Sequence, residues 1–304
     1  MRKITEKIAG YIFLACGGIA VASVLAITVY MFWKGIPALG EVGILELLFG
    51  TVWEPTASEP SYGIFYIILS SIVGTLGAVL IGVPIGILTA VFLTDFTSAS
   101  AIGRKISGIL SSAVELLAAI PSVIYGLIGM MILNPFMYKL EKIIFANSTT
   151  HQFTGGSNLI SAILVLAIMI LPTVIKISAS SIRAVSPSLR SASLALGASK
   201  IQTIFKVVIP AAKSGIMTGV VLGIGRALGE AMAINMVAGG VVNIPLPFNS
   251  VRFLTTQLVS EMAYSSGLHR RVLYTVGLVL YIFIVIINLC LTMLKRKGER
   301  ENGK

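Results

Sequence analysis

The chain has 304 residues, 56% of them hydrophobic and only 12% charged, with a mean hydropathy of +0.95. Soluble domains carry about 25% charged residues, so this composition excludes a water-soluble globular protein and predicts an all-α integral membrane protein. The net charge of +11 does not signal nucleic acid, because the cations cluster in short segments between apolar runs and no nucleic-acid recognition motif is present.

Six apolar stretches are long enough to cross a bilayer as helices: Ala9–Phe32, Ile64–Leu93, Ile106–Leu133, Leu159–Ile177, Gly215–Ala238 and Val272–Leu294. In the first, Phe13-Leu-Ala-Cys16 faintly resembles a lipoprotein cleavage site, but the apolar run continues to Phe32 and reads as an uncleaved anchor. Cys16 and Cys290, far apart in two spans, read as small apolar fillers. Pro84 and Pro121 predict kinks or breaks in the second and third spans. Residues 134–158 form a polar loop with a Gly155-Gly156 turn, and 239–271, with Pro245 and Pro247, is expected to re-enter the bundle in part. His151 and His269, both in outer loops, read as surface residues. With the N-terminus inside, lysines and arginines divide 16 to 6 in favour of the inner segments, so both termini are expected to be cytoplasmic; Arg270 and Arg271 run against the bias without reversing it. The chain then divides into an N-terminal helix with its external loop (1–62), a permease domain (63–294) and a basic cytoplasmic tail (295–304).

Residues 178–214, between the fourth and fifth spans, have a different texture. Ser186-Pro187 starts a helix, Leu189, Leu194 and Leu196 supply apolar points, and Gly197 interrupts. Ile201, Ile204, Phe205 and Val208 then recur at helical spacing, flanked by Lys200, Lys206 and Lys213, until Pro210 ends or bends the helix. Two readings fit this pattern: an interfacial helix on anionic lipid, or a docking element laid into a groove on a cytoplasmic partner.

The segment resembles the coupling motif of type I ABC importer permeases, which runs Glu-Ala-Ala, three residues, Gly, nine residues, Ile, any residue, Leu-Pro. The aligned residues are Ser191, Ala192 and Ser193, then Gly197, then Val207, Val208, Ile209 and Pro210; Ser191 and Ser193 stand where the family has Glu and Ala. Glu115–Gly129, Leu166–Thr173 and Gly225–Gly240 extend the likeness over about Ile64 to Leu294. Together they are similar to the C-type membrane subunit of phosphate-specific transport systems. The resemblance implies a MetI-like permease fold with a cytoplasmic coupling helix. It implies a prokaryotic cell-membrane location, a second homologous permease, two ATP-binding cassette subunits and an external phosphate-binding protein. The chain has no Gly-x4-Gly-Lys-[Ser/Thr], so ATP is expected on the partner, with no cofactor or metal bound here.

Arg226 and Glu230 lie inside the fifth apolar stretch. A charge at the bilayer centre costs roughly 2.5–3.5 kcal/mol on insertion scales, so both are expected to be hidden from lipid. On a continuous helix Gly215, Gly219, Gly223, Arg226 and Glu230 share one face, and the glycines allow close helix approach. The pair is either a structural ion pair or a lining of the translocation path, where a guanidinium takes phosphate oxygens and a carboxylate accepts from the anion's own protons. Glu115, in the third stretch, reads as a cap at the Pro121 break or a partner for a loop cation, with gating as the alternative. Asn235 reads as interhelical glue. The same architecture moving another oxyanion or an osmolyte is the alternative function. A membrane enzyme is disfavoured: no His lies within a span, and the single aspartate, Asp95, falls at a loop.

Overall fold

A computed structural model describes residues 2–96 and 101–301, so the end of the basic tail, with Lys304, lies outside the described residues. Six helices are long and apolar enough to cross a membrane: Glu6–Val42, Phe65–Asp95, Ser122–Ile144, Leu159–Arg183, Lys200–Gly229 and Gly267–Met293. The described chain is helical apart from a two-stranded antiparallel pair, β1 (Trp53–Glu54) with β2 (Ser61–Tyr62), in which Trp53 faces Tyr62.

Three helices form the centre. α7 (Leu159–Arg183) packs along α3 (Phe65–Val91) on one side and α10 (Ile209–Gly229) on another. Lipid tails are as apolar as leucine, so helices associate in a membrane through close packing. The sequence supplies that closeness with small residues. A Cβ at Gly77, Gly82 or Gly86 of α3 would come within 2.7 Å of Ile163, Ile170 and Val174 of α7 respectively. On the opposite side Gly215, Gly219 and Gly223 of α10 abut Ser181, Ile177 and Val174. α7 accordingly holds the fully buried Leu166, Ile170, Val174 and Ile182.

α1 (Arg2–Val42) lies at the periphery, and the most apolar stretch of this span has no buried residue. It packs on α13 (Gly267–Glu301): Thr275 donates to the Gly35 carbonyl at 2.6 Å, and Thr28 and Tyr281 share a hydroxyl hydrogen bond at 2.8 Å. It is longer than the expected Ala9–Phe32 because helix continues past the apolar run to Val42, where Gly35 meets Leu278.

Two expected spans are corrected. The third is not continuous over Ile106–Leu133. α4 (Ala101–Ala119) stops at Ile120-Pro121, and the membrane-length helix is Ser122–Ile144, comprising α5 (Ser122–Ile128), a π-helical turn (Gly129–Leu133) and α6 (Asn134–Ile144). Pro121 donates no N–H and disfavours helix at the residue before it. The apolar run continues through this break, which is why composition hides it. The fifth stretch likewise ends early: α10 stops at Gly229, Glu230 is extended, and α11 (Met232–Val237) follows.

Pro210, expected to end or bend its helix, does not stop it, and neither does Pro135. Pro135 and Pro210 each sit two residues after the end of a π-helical turn, Gly129–Leu133 and Ile204–Val208, with Asn134 and Ile209 between. The wider turn shifts the carbonyls with which a proline ring would clash, so the helix passes through. α9 (Lys200–Thr203) therefore runs without a stop into α10.

The segment 239–271 does enter the bundle. Gly239 pairs with Val251, and α12 (Leu254–Glu261) buries Leu254, Thr256 and Gln257, with the Leu254 N–H donating to Ser71 Oγ of α3 at 2.9 Å.

Candidate functional site

Arg226 continues the glycine face of α10 one turn beyond Gly223. It is half-buried, makes no hydrogen bond or ion pair among the described residues, and its charge reaches Tyr125 of α5. Glu230 does not share its helical face. The residue is buried just beyond the helix end (φ −76°, ψ 130°), and its carboxylate accepts the Ala233 N–H at 3.0 Å, capping the start of α11. Its carbonyl accepts from Thr255 Oγ1 of α12 at 2.7 Å. Of the two readings of the pair, the structural ion pair does not form among the described residues; a capped break and a free-standing guanidinium stand there instead. The signal for the break was Gly229 followed by an acid three residues before Ala233, the spacing of a helix N-terminal cap. Asn235 accepts from Ser260 Oγ at 2.9 Å and so joins α11 to α12.

The second break lies close by. Tyr125 Oη donates to the Leu117 carbonyl at 2.6 Å, reaching across Pro121 from α5 to α4. Gly126 and Gly129 abut Ala233 and Val237 of α11. The two interrupted elements, α4–α5 and α10–α11, therefore meet beside Arg226. Irregular backbone is tolerated at membrane depth where it is buried in protein or lines an aqueous path, and a lone guanidinium there can hold two oxygens of an oxyanion.

The docking segment folds as α8 (Pro187–Ala195), a turn and α9. Ser186 caps α8, and Pro187 occupies its first turn. Gly197 adopts φ +87°, a left-handed conformation that side chains disfavour. Ser199 and Gln202 form a reciprocal cap on α9. α8 buries no residue, and Leu189, Leu194, Leu196, Ile201 and Phe205 remain exposed, Leu196 to 90%. Ser191 and Ala192 are exposed, while Ser193 bonds Thr203 of α9 through their hydroxyls at 2.9 Å. Val207 and Ile209 are half-buried in the run into α10, and Pro210 is exposed at its start.

One tie had no signal in the sequence pattern. Asp95, read as a loop residue, is 5% exposed in a π-helical turn at the end of α3, and Arg190 of α8 binds its carboxylate. The same guanidinium donates to the Ile182 carbonyl of α7 at 2.9 Å. α8 is thereby clamped to two of the three central helices.

The far end of the molecule corrects the reading of the histidines. His151 donates to or accepts from Glu141 at 2.8 Å and stacks on Phe145 at 3.8 Å; the fully buried Glu141 also accepts from the Thr154 N–H at 2.9 Å. Glu261 gathers His269 at 2.8 Å, the Trp53 indole N–H at 3.0 Å and the Arg252 guanidinium. Burial pushes the nearby Tyr62 phenol up from its ordinary pKa, so it stays neutral against Trp53. The fully buried Glu141 carboxylate needs donors, and the Thr154 N–H is one.

Residues 82–300 match the family described as "Binding-protein-dependent transport system inner membrane component". This chain belongs to that family. A Bacillus subtilis protein named probable ABC transporter permease protein YqgH is 38% identical over 94% of this chain and 91% of its own length. The phosphate transport system permease protein PstC of Xylella fastidiosa strain 9a5c is 32% identical over 97% of this chain and 94% of its own, and that of Haemophilus influenzae 30% over 94% and 90%. Among solved structures, a bacterial alginate ABC transporter aligns with TM-score 0.58 at 14% identity, over 94% of this chain and 95% of its own. The MetNI methionine ABC transporter aligns with TM-score 0.53 at 21% identity, over 78% and 94%. These likenesses give the type I ABC importer permease fold. As an inner membrane component of this family, the chain works with an ATPase and a substrate-binding protein.

Proposed function

We propose that this chain is the membrane-spanning permease subunit of an ATP-driven inorganic phosphate importer, forming half of the translocation path beside a second, homologous permease. The observation that carries the reading is Arg226: a guanidinium within a membrane span, beside two helix breaks, with no protein partner among the described residues. Keeping an unpaired charge there is costly, and an anion in transit is a reason to retain it. The relatives named as phosphate permeases support the choice of anion.

The α8 end faces the cytoplasm, with both termini, as the excess of inner cations requires. ATP is hydrolysed on two cassette subunits docked there, and a phosphate-binding protein delivers substrate at the α12 end. Closure of the ATPases moves α8, α9 and α10 as one body, since the helix is unbroken from Lys200 to Gly229 and Arg190 clamps α8 to α3 and α7. This rocking alternates access to the path. Glu230, by capping α11, fixes the break beside Arg226 and need not touch substrate.

Uptake of radiolabelled phosphate into vesicles holding the complete transporter tests this. Arg226→Gln abolishes uptake while the assembled complex persists, and excess sulfate fails to compete. Persisting uptake makes Arg226 structural. Effective sulfate competition favours a general oxyanion permease.

A further inference from the structure

Lys176, Ser180 and Arg183 fall at i, i+4 and i+7 on α7 and are all exposed, whereas Val174, Ile175, Ser178 and Ile182 are buried against the bundle. Lys176 is about 10 Å inside the helix end marked by Arg183 and lies within the membrane span. Against this stripe α4 lays Ser111 and Glu115, and together they rim a cavity of about 310 Å³. Its base is the apolar cluster of Leu93, Val114 and Ile175. That volume equals about ten waters of liquid, enough for a hydrated tetrahedral oxyanion. Among the described residues Lys176, Arg183 and Glu115 make no hydrogen bond or ion pair with one another or with other groups.

The rim carries two cations, one carboxylate and two hydroxyls, a donor-rich set with one acceptor. A partly protonated oxyanion matches it: its bare oxygens take the ammonium and guanidinium, and its own O–H donates to the carboxylate. The position fits a sequence of stations. Gly223 packs at the level of Val174, so Arg226 lies about 7–8 Å farther toward the α12 end than Lys176. The same interrupted element borders both, with Tyr125 of α5 near Arg226 and Glu115 of α4 near Lys176.

We propose that the Lys176–Arg183–Glu115 cavity is a second anion station on the α8 side of Arg226, receiving a phosphate-class oxyanion before release. The proposal rests on the reading of the chain as an oxyanion permease. The competing account is that Lys176 and Arg183 are membrane anchors whose side chains snorkel to the interface. The complete transporter, reconstituted with its binding protein, separates the two. Lys176→Gln with Arg183→Gln reduces radiolabelled phosphate uptake at least about tenfold, while ATP hydrolysis stimulated by the loaded binding protein stays within about twofold, because a charge-assisted contact to the anion is lost and the docking end is untouched. Lys176→Arg restores most of the uptake, and Glu115→Gln alone lowers it by removing the acceptor for the anion's own O–H. Unchanged uptake overturns the station, as does a parallel fall of uptake, hydrolysis and assembled complex that Lys176→Arg fails to rescue. Wild-type protein that imports sulfate and not phosphate overturns the phosphate assignment instead; the same variants then test the station with sulfate.

Discussion

The two ends of the bundle are built on opposite terms. At the α12 end, polar side chains find one another: Glu141 is fully buried with His151 and Thr154 around it, and Glu261 collects Trp53, Arg252 and His269. At the α8 end, five large apolar side chains stand exposed on α8, α9, the turn between them and the π-helical turn that follows, and α8 buries no residue. The first end pairs its charged groups within the chain, whereas the second leaves an apolar surface open. In the function proposed above, the first is the entrance and the second the surface an ATPase covers.

Substitutions that exchange these properties sharpen the contrast. The largest stability loss is expected for Glu261→Ala, which strands three donors, including the Arg252 charge; about 3 kcal/mol follows, measured as a lower unfolding midpoint in detergent. Next, Arg190→Ala cuts the clamp from α8 to Asp95 and to the Ile182 carbonyl. Its stability cost is about 2 kcal/mol, and its larger effect is uncoupling, read as ATP hydrolysis that continues without phosphate uptake. Gly197→Val forces a branched side chain into φ +87° and costs about 1–2 kcal/mol locally; pull-down of the ATPase is expected to weaken while the spans stay folded. Leu196→Ser has the smallest effect on stability, within about 0.5 kcal/mol for an exposed residue, yet reduces ATPase docking. If Leu196→Ser left docking intact and Glu261→Ala abolished it, the assignment of the two ends would be reversed.

Much of this was written plainly in the sequence. Long apolar runs gave the second, fourth and sixth spans closely, because a bilayer demands about 20 apolar residues whatever the neighbours. The helix–turn–helix of α8 and α9 was legible from Ser186-Pro187, Gly197 and the helical spacing after it. The interruptions were harder. At Pro121 apolarity continues on both sides of the break, and at Glu230 the decisive contacts come from Thr255 and Ala233, one of them on a distant element. Arg226 was visible as an anomaly, but its separation from Glu230 was not, since helical spacing assumes a helix that stops at Gly229. Asp95–Arg190 and the two histidine–glutamate contacts are tertiary pairings across 95, 10 and 8 residues; residue type alone does not announce them.

The pairing of α1 with α13 has a consequence for how the protein is made. α1 rests on α13, far later in the sequence, with Gly35 against Leu278 and Thr28 against Tyr281. Until α13 is synthesised, α1 has nothing in the chain to settle on along that face, whereas α3, α7 and α10 can zip together as each emerges. Assembly of this subunit therefore closes from the centre outward, and α1 waits in the lipid, unclaimed along that face, until α13 has emerged.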